Sequence, residues 1–164
     1  MKLGKKTLML GTLLLLCSFS LGMTQTAQAK NPLNCTTDYY FVGHLGIFDA
    51  EGRLLCWTGT VSGDINGEIN WWMFYFTKAQ VTHFANDIWE IFDSETGDLL
   101  LRGDEKGTTT IRHGKNSVWR SNGIVTEAYG DFEIWLGRNV HMDGHFTWVF
   151  PGFPDSGTGI LRIN

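Results

Sequence analysis

From residue 39 onward, short runs of aromatic and β-branched residues alternate with Gly, Asn and Asp, the pattern of strands joined by tight turns. Runs at 39–48 and 54–61 flank Asp49-Ala50-Glu51-Gly52, whose glycine can take a positive φ. Asn66-Gly67 separates alternating runs at 57–65 and 68–76 and is the strongest hairpin signal in the chain. A two-residue turn there predicts Val61 opposite Trp72 and Trp57 opposite Phe76, both pairs on one face. Further strands are expected at 88–92, 99–102, 108–112, 118–129, 132–136, 140–150 and 158–163, and residues 78–86 have room for one helical turn. Connections this short imply an antiparallel meander, which hides its edges most simply by closing on itself. The expected fold is all-β, an antiparallel up-and-down barrel of about eight strands, with a two-sheet β-sandwich as the alternative.

Composition strengthens this reading. Only four alanines follow residue 29, against seventeen glycines, so good helix formers are scarce. The N-terminus differs: Lys2, Lys5 and Lys6 precede an apolar run at 8–21 and the small-residue triplet Ala27-Gln28-Ala29. These are the parts of a cleavable signal peptide over 1–29, which predicts a secreted or periplasmic protein with a single domain at 30–164. The apolar run falls short of the roughly 20 residues that cross a bilayer, so no membrane-spanning segment is expected. Ten basic and seventeen acidic residues remain after residue 29, a net charge of −7 that repels phosphate backbones and argues against a nucleic-acid partner. Cys35 and Cys56 are then the remaining cysteines, and an oxidising compartment predicts a disulfide between them.

Catalytic motifs are scarce. The chain has no GxSxG elbow, P-loop, HExxH, CxxC or dinucleotide fingerprint, so hydrolase, kinase, zincin and dehydrogenase readings lack their usual support. His141-Met142-Asp143-Gly144-His145 has metal-ligand residue types, but along a regular strand its two histidines stand about 13 Å apart. That stretch reads as a polar outer face, and neither a metal nor another cofactor is expected. Glu90 lies in a run that is apolar on both faces, so an inward carboxyl with a raised pKa is expected, a candidate general acid or base; pairing with Arg102 or Arg120 is the alternative. Both faces of 119–127 are mixed, which makes Glu127 a second acid–base candidate and Arg120 with Asn122 candidates to orient a polar ligand group. Trp57 and Trp72 are the candidates for ligand stacking, and one of the neighbours Trp71 and Trp72 must point outward.

The stretch Trp57-Thr58-Gly59-Thr60-Val61-Ser62-Gly63-Asp64-Ile65-Asn66-Gly67 is glycine-spaced, as are Asn122-Gly123-Ile124-Val125-Thr126-Glu127-Ala128 and Gly157-Thr158-Gly159-Ile160-Leu161-Arg162-Ile163. Together they resemble the strands of the allene-oxide-cyclase-like barrels, a superfamily that includes plant dirigent proteins and bacterial spirotetronate cyclases. The resemblance implies an eight-stranded antiparallel barrel, often a homo-oligomer, whose apolar cavity shapes a reactive ligand without a metal. No family site residue is carried over. The expected function is therefore an exported barrel that accommodates a small apolar molecule, as carrier or as a cofactor-free cyclase or isomerase. The alternative is a non-enzymatic interaction protein with a protein or envelope partner. A connected apolar cavity favours the first reading and a barrel packed solid favours the second.

Overall fold

Leu33, Cys35, Thr37 and Tyr39 are buried along β1 (Leu33–Phe41) while the residues between them are exposed, so one face of the strand looks into a core. The structure, a computed structural model, describes residues 31–78, 81–110, 117–149 and 153–164. The expected signal peptide lies outside the described residues. The same two-residue period governs β2 (Leu54–Gly63), β3 (Gly67–Met73), β6 (Leu99–Thr110) and β7 (Ser117–Ala128), interrupted only where bulges intervene. The remaining strands are β4 (Tyr75–Lys78), β5 (Val81–Phe92), β8 (Asn139–Val149) and β9 (Phe153–Ile163).

All pairings are antiparallel, in the order β3-β2-β1-β9-β8-β7-β6-β5, and β3 pairs back onto β5 to close an eight-stranded up-and-down barrel. The chain bends at Phe74, so β3 pairs with residues 88–92 of β5 and β4 continues along residues 81–84. Short 3-10 turns, Gly43–Leu45 and Gly130–Trp135, lie outside the barrel strands.

The lumen is filled by rings. Trp71 and Trp119 meet edge to face with centroids 4.7 Å apart, and Tyr39 lies 5.6 Å from Trp71 and 6.0 Å from Trp119. Trp57 stacks on Phe146 at 4.5 Å. Glycines on the same inner face make the space: a Cβ on Gly103 would collide with Cζ2 of Trp89, and one on Gly159 would lie 2.8 Å from Cζ2 of Trp119. The glycine spacing along the strands is thus the complement of the tryptophans, small positions facing large ones.

Several expectations are corrected. Val61 pairs with Gly67 and Trp57 with Trp71, not with Trp72 and Phe76. The connection is longer than two residues because Ile65 turns into the core, with Gly63 at φ 134 and the Asn66 carboxamide bonded to its backbone. Residues 75–78 and 81–92 are strand and make no helical turn. Residues 132–136 are no strand, because Trp135 anchors a 3-10 turn in the core. The first strand starts at Leu33 and ends at Phe41, and β6 runs unbroken from Leu99 to Thr110.

The disulfide is also overturned: Cys35 and Cys56 are both buried, free thiols. Cys35 pairs with Gly63, whereas Cys56 is the extra residue of a bulge beside Trp57, which pairs with Phe41 at the far end of β1. Strand rise places them roughly 20 Å apart, where a bridge needs Cα atoms within about 7 Å. Burial pushes both thiols up, Cys56 to about 12 with help from the charge of Asp87. Thiol labelling of folded protein is accordingly expected to leave both cysteines unmodified, and labelling in denaturant without reductant to modify both. A mass showing two missing hydrogens would restore the bridge.

Candidate functional site

The residues expected to carry chemistry separate into three places. Along β5 the inward residues are Asp87, Trp89 and Ile91, so Glu90 turns outward instead of into the lumen. Ile88 is buried as well, although it shares the outer side with Glu90, which is why this run reads as apolar on both faces. Glu90 Oε2 accepts from the Trp72 indole at 3.0 Å, and its Oε1 faces Arg102 Nε at 3.7 Å. Arg102 also reaches Glu127 Oε1 at 3.3 Å, and Tyr129 donates to Glu127 Oε2 at 2.7 Å. Trp72, Glu90 and Glu127 are therefore brought together through Arg102 as a cross-strand network on the outer wall, the arginine-paired alternative. The ion pairs are partly solvated and contribute about 1 kcal/mol or less each.

Trp57 sits in the lumen as packing, stacked between Phe146 and the edges of Tyr39 and Phe41. Arg120 projects outward on β7 in register with Asp143, two residues from Asn122 on the same face of that strand. His141, Asp143 and His145 lie on the outer face of β8, where His141 bonds to Asn122 and Asp143 accepts from Arg162 at 2.8 Å.

Asn122 also borders a cleft. An open cleft of about 360 Å³ is lined by Arg53, Asn86, Asp104, Glu105, Lys106, Asn122 and Gly123. Its position follows from a bulge in β5: Phe84 pairs with Gly107 and Asp87 with Glu105, leaving one surplus residue on β5. Asn86 absorbs the bend at φ 55, a left-handed conformation that asparagine tolerates better than most residues. The shift in phase turns Asp87 into the barrel, directly opposite Glu105.

Two carboxyls thus face the interior from adjacent positions of neighbouring strands, a placement that costs stability if both ionise. Asp87 is fully buried; its Oδ1 accepts from the Phe74 N–H at 3.0 Å and its Oδ2 has no hydrogen-bonding partner among the described residues. Burial pushes Asp87 up to about 7, against the lowering effects of the Phe74 N–H and of Arg53. Glu105 accepts from the Ser121 hydroxyl at 2.7 Å. Burial pushes it up to about 8, with Asp87 raising it further and hydrogen bonds from Ser121 and the Trp71 indole lowering it. Arg53, at the cleft mouth, is neutralised by Asp49 at 2.6 Å and Glu51 at 2.8 Å, whereas Lys106 is exposed.

Neither Asp87 nor Glu105 was among the sequence candidates. For Glu105 a signal existed: Leu101, Gly103, Glu105, Gly107 and Thr109 share one face of a twelve-residue strand whose other face carries Arg102, Asp104 and Lys106. Ending that strand at residue 102 hid the glutamate on its apolar face. Asp87 carried no such signal, because only the bulge turns it inward. No protein-family model, curated protein or solved structure matches this chain.

Proposed function

We propose that this protein is an exported barrel that binds a small molecule in the cleft beside Asn86, Lys106 and Asn122 and exchanges a proton with it through Glu105. The observation that carries the reading is a cleft of about 360 Å³ bordered by Glu105, whose carboxyl is buried just inside the barrel wall with its pKa raised to about 8. Asp87 and Glu105 stand opposite each other on neighbouring strands, so the ionisation of one holds the proton on the other. A neutral carboxylic acid in that position can donate to an oxygen that gains negative charge during cyclisation or isomerisation, and take the proton back from carbon or solvent. This is the cofactor-free chemistry that the superfamily resemblance implies. The ligand site differs from the sequence expectation, since rings occupy the lumen and the cleft is rimmed by the amides of Asn86 and Asn122, the Lys106 ammonium and the exposed Asp104 carboxylate. The favoured ligand is small, with an acceptor-rich head for the Asn86 and Asn122 amides and the Lys106 ammonium.

Anilinonaphthalene sulfonate carries such an acceptor-rich head and serves as the probe. Saturable fluorescence is expected, weakened about tenfold or more by Lys106→Glu with the melting temperature unchanged. Binding should fall as pH passes about 8, because ionised Glu105 repels the sulfonate, and Glu105→Gln should abolish that fall. Dye binding that ignores both changes would remove the cleft from consideration.

The competing reading, an interaction protein, is favoured by the ring-packed lumen and by the rings of Phe74, Tyr75 and Phe76, which are about half exposed at 59%, 50% and 51%.

A further inference from the structure

We propose that two copies of this chain pair edge to edge through β4, about a two-fold axis at Phe76. Closure removes the free edges of the eight barrel strands, but β4 continues past the point where β2 ends and, among the described residues, pairs only with β5. Among the described residues its other edge carries no strand there. All four of its residues are exposed, and three consecutive aromatics, Phe74, Tyr75 and Phe76, stand at the bend and along the strand.

The hydrogen-bonding phase of that edge follows from one contact. The Ala85 N–H donates to the Phe74 carbonyl at 2.9 Å, so in an antiparallel ladder Phe76 and Lys78 also aim their backbone groups at β5. Tyr75 and Thr77 then aim theirs outward. A second β4 strand, running antiparallel, satisfies those four groups when Tyr75 pairs with the partner's Thr77 and Thr77 with the partner's Tyr75. Phe76 then lies opposite the partner's Phe76, and the arrangement is its own complement under a two-fold axis.

Charge selects the occupant. Natural edge strands are usually guarded by charge, proline or a bulge, and β4 carries only Lys78, at its end and opposite the partner's Phe74 in this register. No acid lies in β4, although the chain from residue 30 carries a net −7, so this acid-free strip is a place where two copies approach without mutual repulsion. Three half-exposed rings offer roughly 300 Å² per copy, about 600 Å² in all before the backbone is counted. That is below the roughly 1,200 Å² of a standard stable interface, so the dimer is weak and concentration-dependent.

The test uses protein recovered after expression of the full chain, with mass measured by light scattering behind a sizing column across a concentration series. Wild type is expected to move from monomer to dimer as concentration rises. Phe76→Glu and Phe76→Lys each place like charges face to face and should raise the midpoint by tenfold or more, with unchanged circular dichroism and melting temperature. An equimolar mixture of the two variants should recover a dimer containing one of each, which native mass spectrometry distinguishes. Tyr75→Lys, remote from the His83 ring against which Phe76 stacks at 5.0 Å, repeats the weakening if the Phe76 variants fold poorly. A wild type that stays monomeric, a dimer indifferent to these changes, or variants that do not recombine on mixing would each overturn the proposal, and the first would leave β4 to a foreign strand.

Discussion

Raising the pH from about 5 to about 9 is expected to weaken the fold by several kcal/mol, and Glu105→Gln to remove a large part of that loss. Asp87 and Glu105 have folded pKa values of about 7 and about 8, above their ordinary values of 3.8 and 4.5. Between those limits the folded chain holds protons that the unfolded chain has released, so stability is full at acid pH and falls as pH rises through the folded values. Each unit of difference corresponds to about 1.4 kcal/mol, and the pair titrates as one coupled system, so the total is read from the melt and not summed over residues. The amide that Glu105→Gln introduces keeps an acceptor for Ser121 and removes the second charge, which also relieves Asp87. Urea melts of both proteins across this range give the answer. Wild-type stability that is flat or rising with pH would mean that the two carboxyls reach solvent. The trend runs opposite to ordinary acid denaturation, in which native carboxylates are stabilised as anions.

Trp119→Ala is expected to cost about 3 to 5 kcal/mol, lowering the melting temperature by roughly 10 °C or more. Trp119 is fully buried and touches Trp71, Tyr39 and Phe146, with centroids 4.7, 6.0 and 5.9 Å away. Beneath it are Gly144 and Gly159, which have no side chains to move into the space. The cavity therefore persists, and the penalty combines lost burial with lost dispersion contacts. Thermal and urea unfolding measure it. A drop of only a degree or two would show that the rings around Trp119 repack freely, and that the lumen is plastic enough to admit a ligand after all.

Much of the barrel was legible in residue order alone. Aromatic and β-branched runs broken by glycine specify strands and turns locally, because a strand's faces alternate and a glycine turn needs no distant partner. The need to hide strand edges then leads to closure, which the β3 to β5 pairing realises. Trp71 and Trp72 had to face opposite ways for the same local reason, and Trp71 is inside. What residue order could not supply was phase. One surplus residue at Asn86 turns Asp87 inward, another at Cys56 keeps three consecutive residues buried, and Ile65 lengthens a turn that Asn66-Gly67 marked as tight. Each bulge exchanges the inner and outer faces beyond it, so an error of one residue moves a carboxyl from solvent to core. Glu90 and Glu105 show the consequence: the first reads as buried and stands on the outer wall, and the second falls between two expected strands and occupies the lumen. The distance between Cys35 and Cys56 was likewise out of reach, because barrel shear and strand register, set only when all eight strands close, decide which ends of the chain meet.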